Sequence, residues 1–118
     1  MANKVMWYEI VGKDGKKLQT FFSELFGWKY KQAPNMTYGM TDPEVTGVGG
    51  GVGEFPGASW ATFYVGVDDV SQALERAVKL GGKVLTPVTK LPEVTFAVFA
   101  DPEGHPVGLV EHRQGKAA

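Results

Sequence analysis

The 118-residue chain contains no cysteine, so disulfides, thiolate metal sites and cysteine nucleophiles are all excluded. Histidine is almost as scarce: His105 and His112 are the only two, which leaves little for an imidazole metal centre or proton relay. Neither sign of charge is in excess. Lys plus Arg total 12 and Asp plus Glu total 13, a net charge of −1. A chain this neutral has no global field to gather nucleic acid or hold an anionic membrane surface. No apolar run approaches the ~18 residues that cross a bilayer. Met1-Ala2-Asn3-Lys4-Val5 leads directly into a strand-like stretch, without the apolar segment and small-residue cleavage site of a signal peptide. The expectation is a cytoplasmic protein with no nucleic-acid or membrane partner.

What the chain does have is glycine, 16 residues, and aromatics, 12%. With 43% hydrophobic and 21% charged residues the balance is globular. Residues 1–118 read as one domain, which at this size buries about two thirds of its unfolded surface.

Apolar periodicity organises the chain. Residues 5–11 read as a strand. Asp14 caps a helix whose stripe is Leu18, Phe21, Phe22, Leu25 and Phe26, and Gly27 ends it. Strands follow at 28–32, 36–41 and, laced with glycine, 45–52. The pattern then restarts. Residues 59–67 form a strand. Asp68 or Asp69 caps a helix with stripe Val70, Ala73, Leu74, Ala77 and Val78, and Gly81-Gly82 ends it. Strands follow at 83–89, where Pro87 marks an edge or bulge, at 94–100 and at 107–111, with a turn at Asp101-Pro102-Glu103-Gly104 and a tail over 114–118. A shift of 55 residues sets Trp7 on Thr62, Tyr8 on Phe63, Glu9 on Tyr64, Asp14 on Asp69 and Gly27 on Gly82. Each half is a β-α-β-β-β module, the first over about 3–53 and the second over about 58–113. Neither module has enough core alone, so the two pack together, within one chain or across a dimer.

Strand parity separates two faces. Ala61, Phe63, Val65 and Val67 form an apolar face for a helix to cover, and Met6, Tyr8 and Ile10 match them. The other face carries Trp60, Thr62, Tyr64 and Gly66 in one module and Val5, Trp7, Glu9 and Val11 in the other. Two tryptophans there point to a shared concavity rather than to solvent. The two helices are expected to cover the outer faces through Phe22, Phe26, Leu74 and Val78.

The repeated module, Trp7-Tyr8-Glu9-Ile10, the helix end Phe21-Phe22-Ser23-Glu24-Leu25-Phe26-Gly27-Trp28, Val67-Asp68-Asp69, and Phe99-Ala100-Asp101-Pro102-Glu103-Gly104 followed by Gly108-Leu109-Val110-Glu111 resemble the vicinal oxygen chelate superfamily, the glyoxalase, bleomycin-resistance and extradiol dioxygenase group. The resemblance covers nearly the whole chain. It implies an α+β fold of two βαβββ modules, with a mixed sheet curled into an incomplete barrel around a cleft, helices outside, and a common habit of dimerising. Its enzymes hold a divalent metal with His, Glu or Gln from the first and last strands of each module. Those places fall on Trp7, on Thr62, on Gly108 and near Gly49 to Gly51, none of which carries a usual metal-binding side chain. No metal and no cofactor is therefore expected.

Other constellations have plainer readings. Gly47-Val48-Gly49-Gly50-Gly51-Val52-Gly53 is followed by Glu54-Phe55-Pro56-Gly57 rather than a helix, so it is no phosphate loop. It reads as a strand stripped of side chains, either to leave cleft volume or to allow close approach. Gly57-Ala58-Ser59-Trp60-Ala61 lacks the strand-to-helix context of a nucleophile elbow. Lys13, Lys16 and Lys17 read as a solvated helix start, and His105 and His112 as solvated. A divergent set of Glu9, Glu111 and His112 conflicts with parity, which puts Glu111 opposite Gly108 and Val110. Glu9 stands out as a carboxylate in an apolar strand, in the cleft beside Tyr64, able to receive an amine or hydroxyl or to act as a general base. Trp7, Trp60 and Tyr64 supply flat walls, and Thr62, Gly49, Gly51 and Gly108 complete the candidate ligand site.

The reading is a domain that binds a small, partly aromatic or cationic molecule without a metal, in a resistance- or sequestration-type role, as a homodimer. Two alternatives stand beside it. One is a lyase or isomerase of the glyoxalase group with Glu9 as base or with relocated metal ligands. The other is a non-catalytic dimeric interaction module.

Overall fold

The structure, a computed structural model, describes residues 2–112, and the tail expected over 114–118 lies outside them. Eight strands and three helices follow in the order β1 (Val5–Val11), α1 (Gly15–Phe26), β2 (Lys31–Gln32), β3 (Tyr38–Thr41), α2 (Pro43–Thr46), β4 (Gly50–Gly53), β5 (Trp60–Val67), α3 (Val70–Lys79), β6 (Lys83–Leu91), β7 (Val94–Ala100) and β8 (Pro106–Glu111). The fold is α+β. Two compact units share it: Trp7–Thr62, and the residues before Trp7 together with those from Phe63 onward. The strand order is β2-β3-β4-β1 in the first and β5-β8-β7-β6 in the second. Each four-stranded set is mixed, with β1 parallel to β4 and β5 parallel to β8, and the other pairs antiparallel. The repeat in sequence is thus a repeat in topology.

Local chemistry explains the helix limits. The Asp14 carboxylate accepts the Lys17 backbone N–H (3.0 Å) at the start of α1, and the Asp69 carboxylate accepts that of Gln72 (3.0 Å) at the start of α3. Both satisfy donors that a helix start leaves open. Gly27 ends α1 at φ 76°, a left-handed cap whose N–H donates to the Ser23 carbonyl. The strand expected over 28–32 shrinks to Lys31–Gln32, and the one over 36–41 to Tyr38–Thr41. The short helix α2, capped by Asp42 with Pro43 in its first turn, was not expected. Irregular pairing on β6, with register shifts between Val84 and Thr86 and between Thr86 and Thr89, fits Pro87 at a terminal strand.

The second unit buries Val67, Val70, Leu74, Ala97 and Leu109 together, with Ala73, Val88 and Phe99 packed against them. In the first, Val11 and Val52 are buried, and so is Gln19. The expected helix faces are corrected in part. Leu74 is buried, but Phe26 and Val78 are 57% and 45% exposed, and Phe21 and Leu25 are 58% and 59% exposed. The reason lies in the glycines. Helix α1 docks through Gly15, where a Cβ would press within 2.9 Å of the Gly53 backbone and of the Glu54 and Thr37 side chains. It also docks through Gln19, whose amide donates to the Val52 carbonyl (2.8 Å). Contact along Gly15 and Gln19 turns Phe21 and Leu25 outward. Phe22 stays half-buried, stacked on Trp28, which in turn meets Tyr8. Among the described residues no helix is long and apolar enough to cross a membrane.

Candidate functional site

The site is built on β1, β3, β4 and the start of β5, and its residues Trp7, Glu9, Tyr38, Gly51 and Trp60 all lie within the unit Trp7–Thr62. Alternation along β1 puts Trp7, Glu9 and Val11 on one face. Parallel pairing sets Glu9 beside Gly51, and antiparallel pairing sets Met40 beside Gly51 from the other side. Tyr38 begins β3, and its ring lies over Gly51, where any Cβ would collide with the ring. On β4's opposite face the Tyr8 ring covers Gly50 in the same way. The bare strand expected from the glycine run therefore serves close approach: tyrosine rings occupy the room that side chains would take. The same device recurs in the second unit, where Gly108 pairs with Tyr64 and lies under its ring.

Tyr38 brings a hydroxyl to Glu9. The phenol donates to Glu9 Oε1 (2.9 Å), and the Trp7 indole Nε1 donates to the phenol oxygen (2.9 Å). Trp60 Nε1 donates to the second carboxylate oxygen, Glu9 Oε2 (3.1 Å). Glu9 is 7% exposed. A carboxylate so far from water is tolerable only with such donors. Because the Tyr38 hydroxyl accepts and donates at once, the line Trp7–Tyr38–Glu9 polarises in one direction. Burial first, and the adjacent Glu9 carboxylate second, push the Tyr38 hydroxyl well above the ordinary phenol value, opposed by the Trp7 hydrogen bond. Tyr38 is thus a fixed proton donor in hydrogen bonds and not a base at neutral pH.

The structure gathers four of the sequence-derived candidates: Trp7, Glu9 and Gly51 meet Tyr38, and Trp60 meets Glu9. Thr62 is half-buried at the end of the same unit. Gly49 precedes β4, and its carbonyl accepts the Tyr8 N–H (3.1 Å). Tyr64 and Gly108 lie in the second unit, where the buried Tyr64 ring meets Phe96 edge-on at 6.2 Å. Glu111 accepts the Val70 N–H (3.0 Å) at the start of α3, in keeping with its parity. His105 pairs with Asp101 in an exposed turn. Tyr38 itself was missed. Its signal was there, since a glycine-rich strand beside an aromatic one is the usual setting for a ring laid across backbone.

The positions that the resemblance assigns to metal ligands do not fit a metal. Trp7 offers an indole N–H already donated to Tyr38, Thr62 a neutral hydroxyl, and Gly49 to Gly51 and Gly108 no side chain at all, with Gly51 and Gly108 lying under tyrosine rings. Trp60 faces a second feature. With Ile10, Leu18, Phe21, Lys13 and Lys17 it borders a groove of about 460 Å³ beside the start of α1. This groove is set apart from the Glu9 carboxylate, and the Trp60 ring is what they share.

Comparison with known proteins places the chain. A family model described as a glyoxalase-like domain matches residues 10–110. A glyoxylase-like domain-containing protein of Didymella fabae is 35% identical over 117 residues, covering 89% of this chain and 91% of that protein. A putative glyoxylase of Mycobacterium tuberculosis is 29% identical over 114 residues, which cover 87% of this chain but 43% of that protein, so the chain spans less than half the length of this relative. A solved member of the glyoxalase/bleomycin resistance protein/dioxygenase superfamily from Vibrio splendidus shares the fold at a TM-score of 0.59 and 20% identity, over 93% of this chain and 98% of that one. The repeated topology, the strand order and the match over residues 10–110 agree, and the chain belongs to the glyoxalase-like domain family of the vicinal oxygen chelate superfamily.

Proposed function

We propose that the domain binds a small organic molecule without a metal, against the Trp7, Tyr38 and Trp60 rings and the Glu9 carboxylate, and sequesters it rather than transforming it. One observation carries this reading: aromatic donors fix both oxygens of the buried Glu9 carboxylate. A rigid acceptor between aromatic rings suits a flat or cationic ligand, through hydrogen bonding and cation–π attraction. The donor chemistry at Trp7, Thr62, Gly51 and Gly108 supports a role without metal. A homodimer accords with Leu25 and Phe26, two large apolar side chains that α1 leaves exposed.

The test is a tryptophan fluorescence screen of aromatic amines and quaternary ammonium compounds. Saturable quenching, weakened in Glu9→Gln, is the expected result. Turnover of a bound compound that Glu9→Gln abolishes would replace sequestration by base catalysis. No saturable response from any compound would overturn the binding reading.

A further inference from the structure

The groove beside α1 has a chemistry opposite to that of the Glu9 cluster. Its volume, about 460 Å³, lies within the range of small-molecule sites. Its walls are Ile10, Leu18, Phe21 and Trp60, and its charged rim is Lys13, Lys17 and Asp14. The Asp14 carboxylate is engaged by the Lys17 backbone N–H (3.0 Å) as the cap of α1, whereas Lys13 and Lys17 bring two cationic side chains to the rim. A second groove, of about 430 Å³, shares Gly12, Lys13 and Ser59 with the first and continues past Phe55 and Pro56. Lys13 therefore lines both grooves, and in the second it is joined by Glu54, whose carboxylate accepts the Gly15 N–H (2.8 Å). The Trp60 wall does not swing freely, because its indole is tied to Glu9 (3.1 Å).

We propose that this groove binds an apolar organic anion. The apolar body lies along Ile10, Leu18, Phe21 and Trp60, and the acid group meets Lys13 and Lys17. An acid group is attracted at this rim, whereas the Glu9 carboxylate repels it. The two sites therefore take opposite ligand classes and have the Trp60 ring in common, so the lysine variant reports on this groove and Glu9→Gln on the other site.

The test uses two probes with the same apolar body, 8-anilinonaphthalene-1-sulfonate and the uncharged N-phenyl-1-naphthylamine, on the full chain. The expected result is saturable binding of the sulfonate with energy transfer from tryptophan, tighter than that of the uncharged probe and weakened by salt. Lys13→Gln/Lys17→Gln is expected to weaken sulfonate binding about fivefold, the effect of two partly exposed ion pairs, and to remove the salt dependence. Phe21→Ser is expected to weaken both probes, and Leu25→Ser/Phe26→Ser neither. Equal sulfonate affinity in the lysine variant, or equal affinity of wild type for the two probes, would overturn the anion site. Loss of binding in Leu25→Ser/Phe26→Ser would place the probe on the outer face of α1 and overturn it as well.

Discussion

The Tyr38 hydroxyl donates to Glu9 Oε1 over 2.9 Å while its ring covers Gly51, the residue paired with Glu9 on the neighbouring strand. Burial and the facing carboxylate raise the Tyr38 hydroxyl above the ordinary phenol value of 10.0. The native state then holds this proton more tightly than the unfolded chain does. The resulting contribution to stability is complete below pH 10 and is lost as pH rises above it. Burial raises Tyr8 and Tyr30 as well. Wild type is expected to lose stability more steeply above about pH 10 than Tyr38→Phe does, measured by urea unfolding at a series of alkaline pH values. Parallel slopes would contradict it.

Removing the acceptor strands two donors. Glu9→Ala leaves the Tyr38 hydroxyl and the Trp60 indole N–H without the carboxylate they bind, and is expected to cost about 2–4 kcal/mol. Glu9→Gln turns an amide toward one of those donors and is expected to cost about 1–3 kcal/mol. Tyr38→Phe deletes one link and is expected to cost about 1–2 kcal/mol. Equilibrium unfolding followed by tryptophan emission reads all three.

The glycines divide into two kinds. Gly51 lies under a ring, while Gly27 has a φ of 76° and open space around its would-be Cβ. Gly51→Ala is expected to be strongly coupled to Tyr38. In a Tyr38→Ala background its cost is expected to shrink by about 1 kcal/mol or more, whereas the cost of Gly27→Ala stays the same. A double-mutant cycle with no coupling at Gly51 would show that the ring yields freely.

Helix faces can be read by truncation. Leu74→Ala, in the core of the second unit, is expected to cost about 2–5 kcal/mol. Val78→Ser is expected to cost less than about 1 kcal/mol, because that side chain is exposed, and Phe26→Ser about 1 kcal/mol, because its ring, though exposed, meets Phe22 and Trp28.

If Leu25 and Phe26 join two copies, sedimentation velocity at micromolar protein should show a dimer in wild type and a monomer in Leu25→Ser/Phe26→Ser. A folded wild-type monomer at that concentration would reject the dimer.

Much of the fold was legible in the sequence because it is written locally. Asp14, Asp69 and Gly27 act as caps over a few residues, and the 55-residue repeat announces the module twice. Two things were not legible. The stripe of α1 names five apolar residues, but a helix lying close on glycine backbone has contact surface for only part of it, and Gln19 takes a buried place through one hydrogen bond to Val52. Glu9 stood out as a polar residue in an apolar strand. Tyr38, 29 residues away in sequence, became its partner only through the register of β3 on β4, which single-strand alternation does not specify.

The tyrosine over Gly51 also bears on how such a domain could change its chemistry in evolution. The resemblance puts one metal-ligand place near Gly49 to Gly51, so one route from this chain toward a metal-binding relative places a carboxylate or imidazole at Gly51. Tyr38 already fills that space, so the first step in that direction creates a clash before it creates a ligand, and the reverse order exposes Glu9 before anything replaces its donor. Neither single step is neutral. The two positions must change together, or pass through a destabilised ancestor, and the same holds for Gly108 with Tyr64.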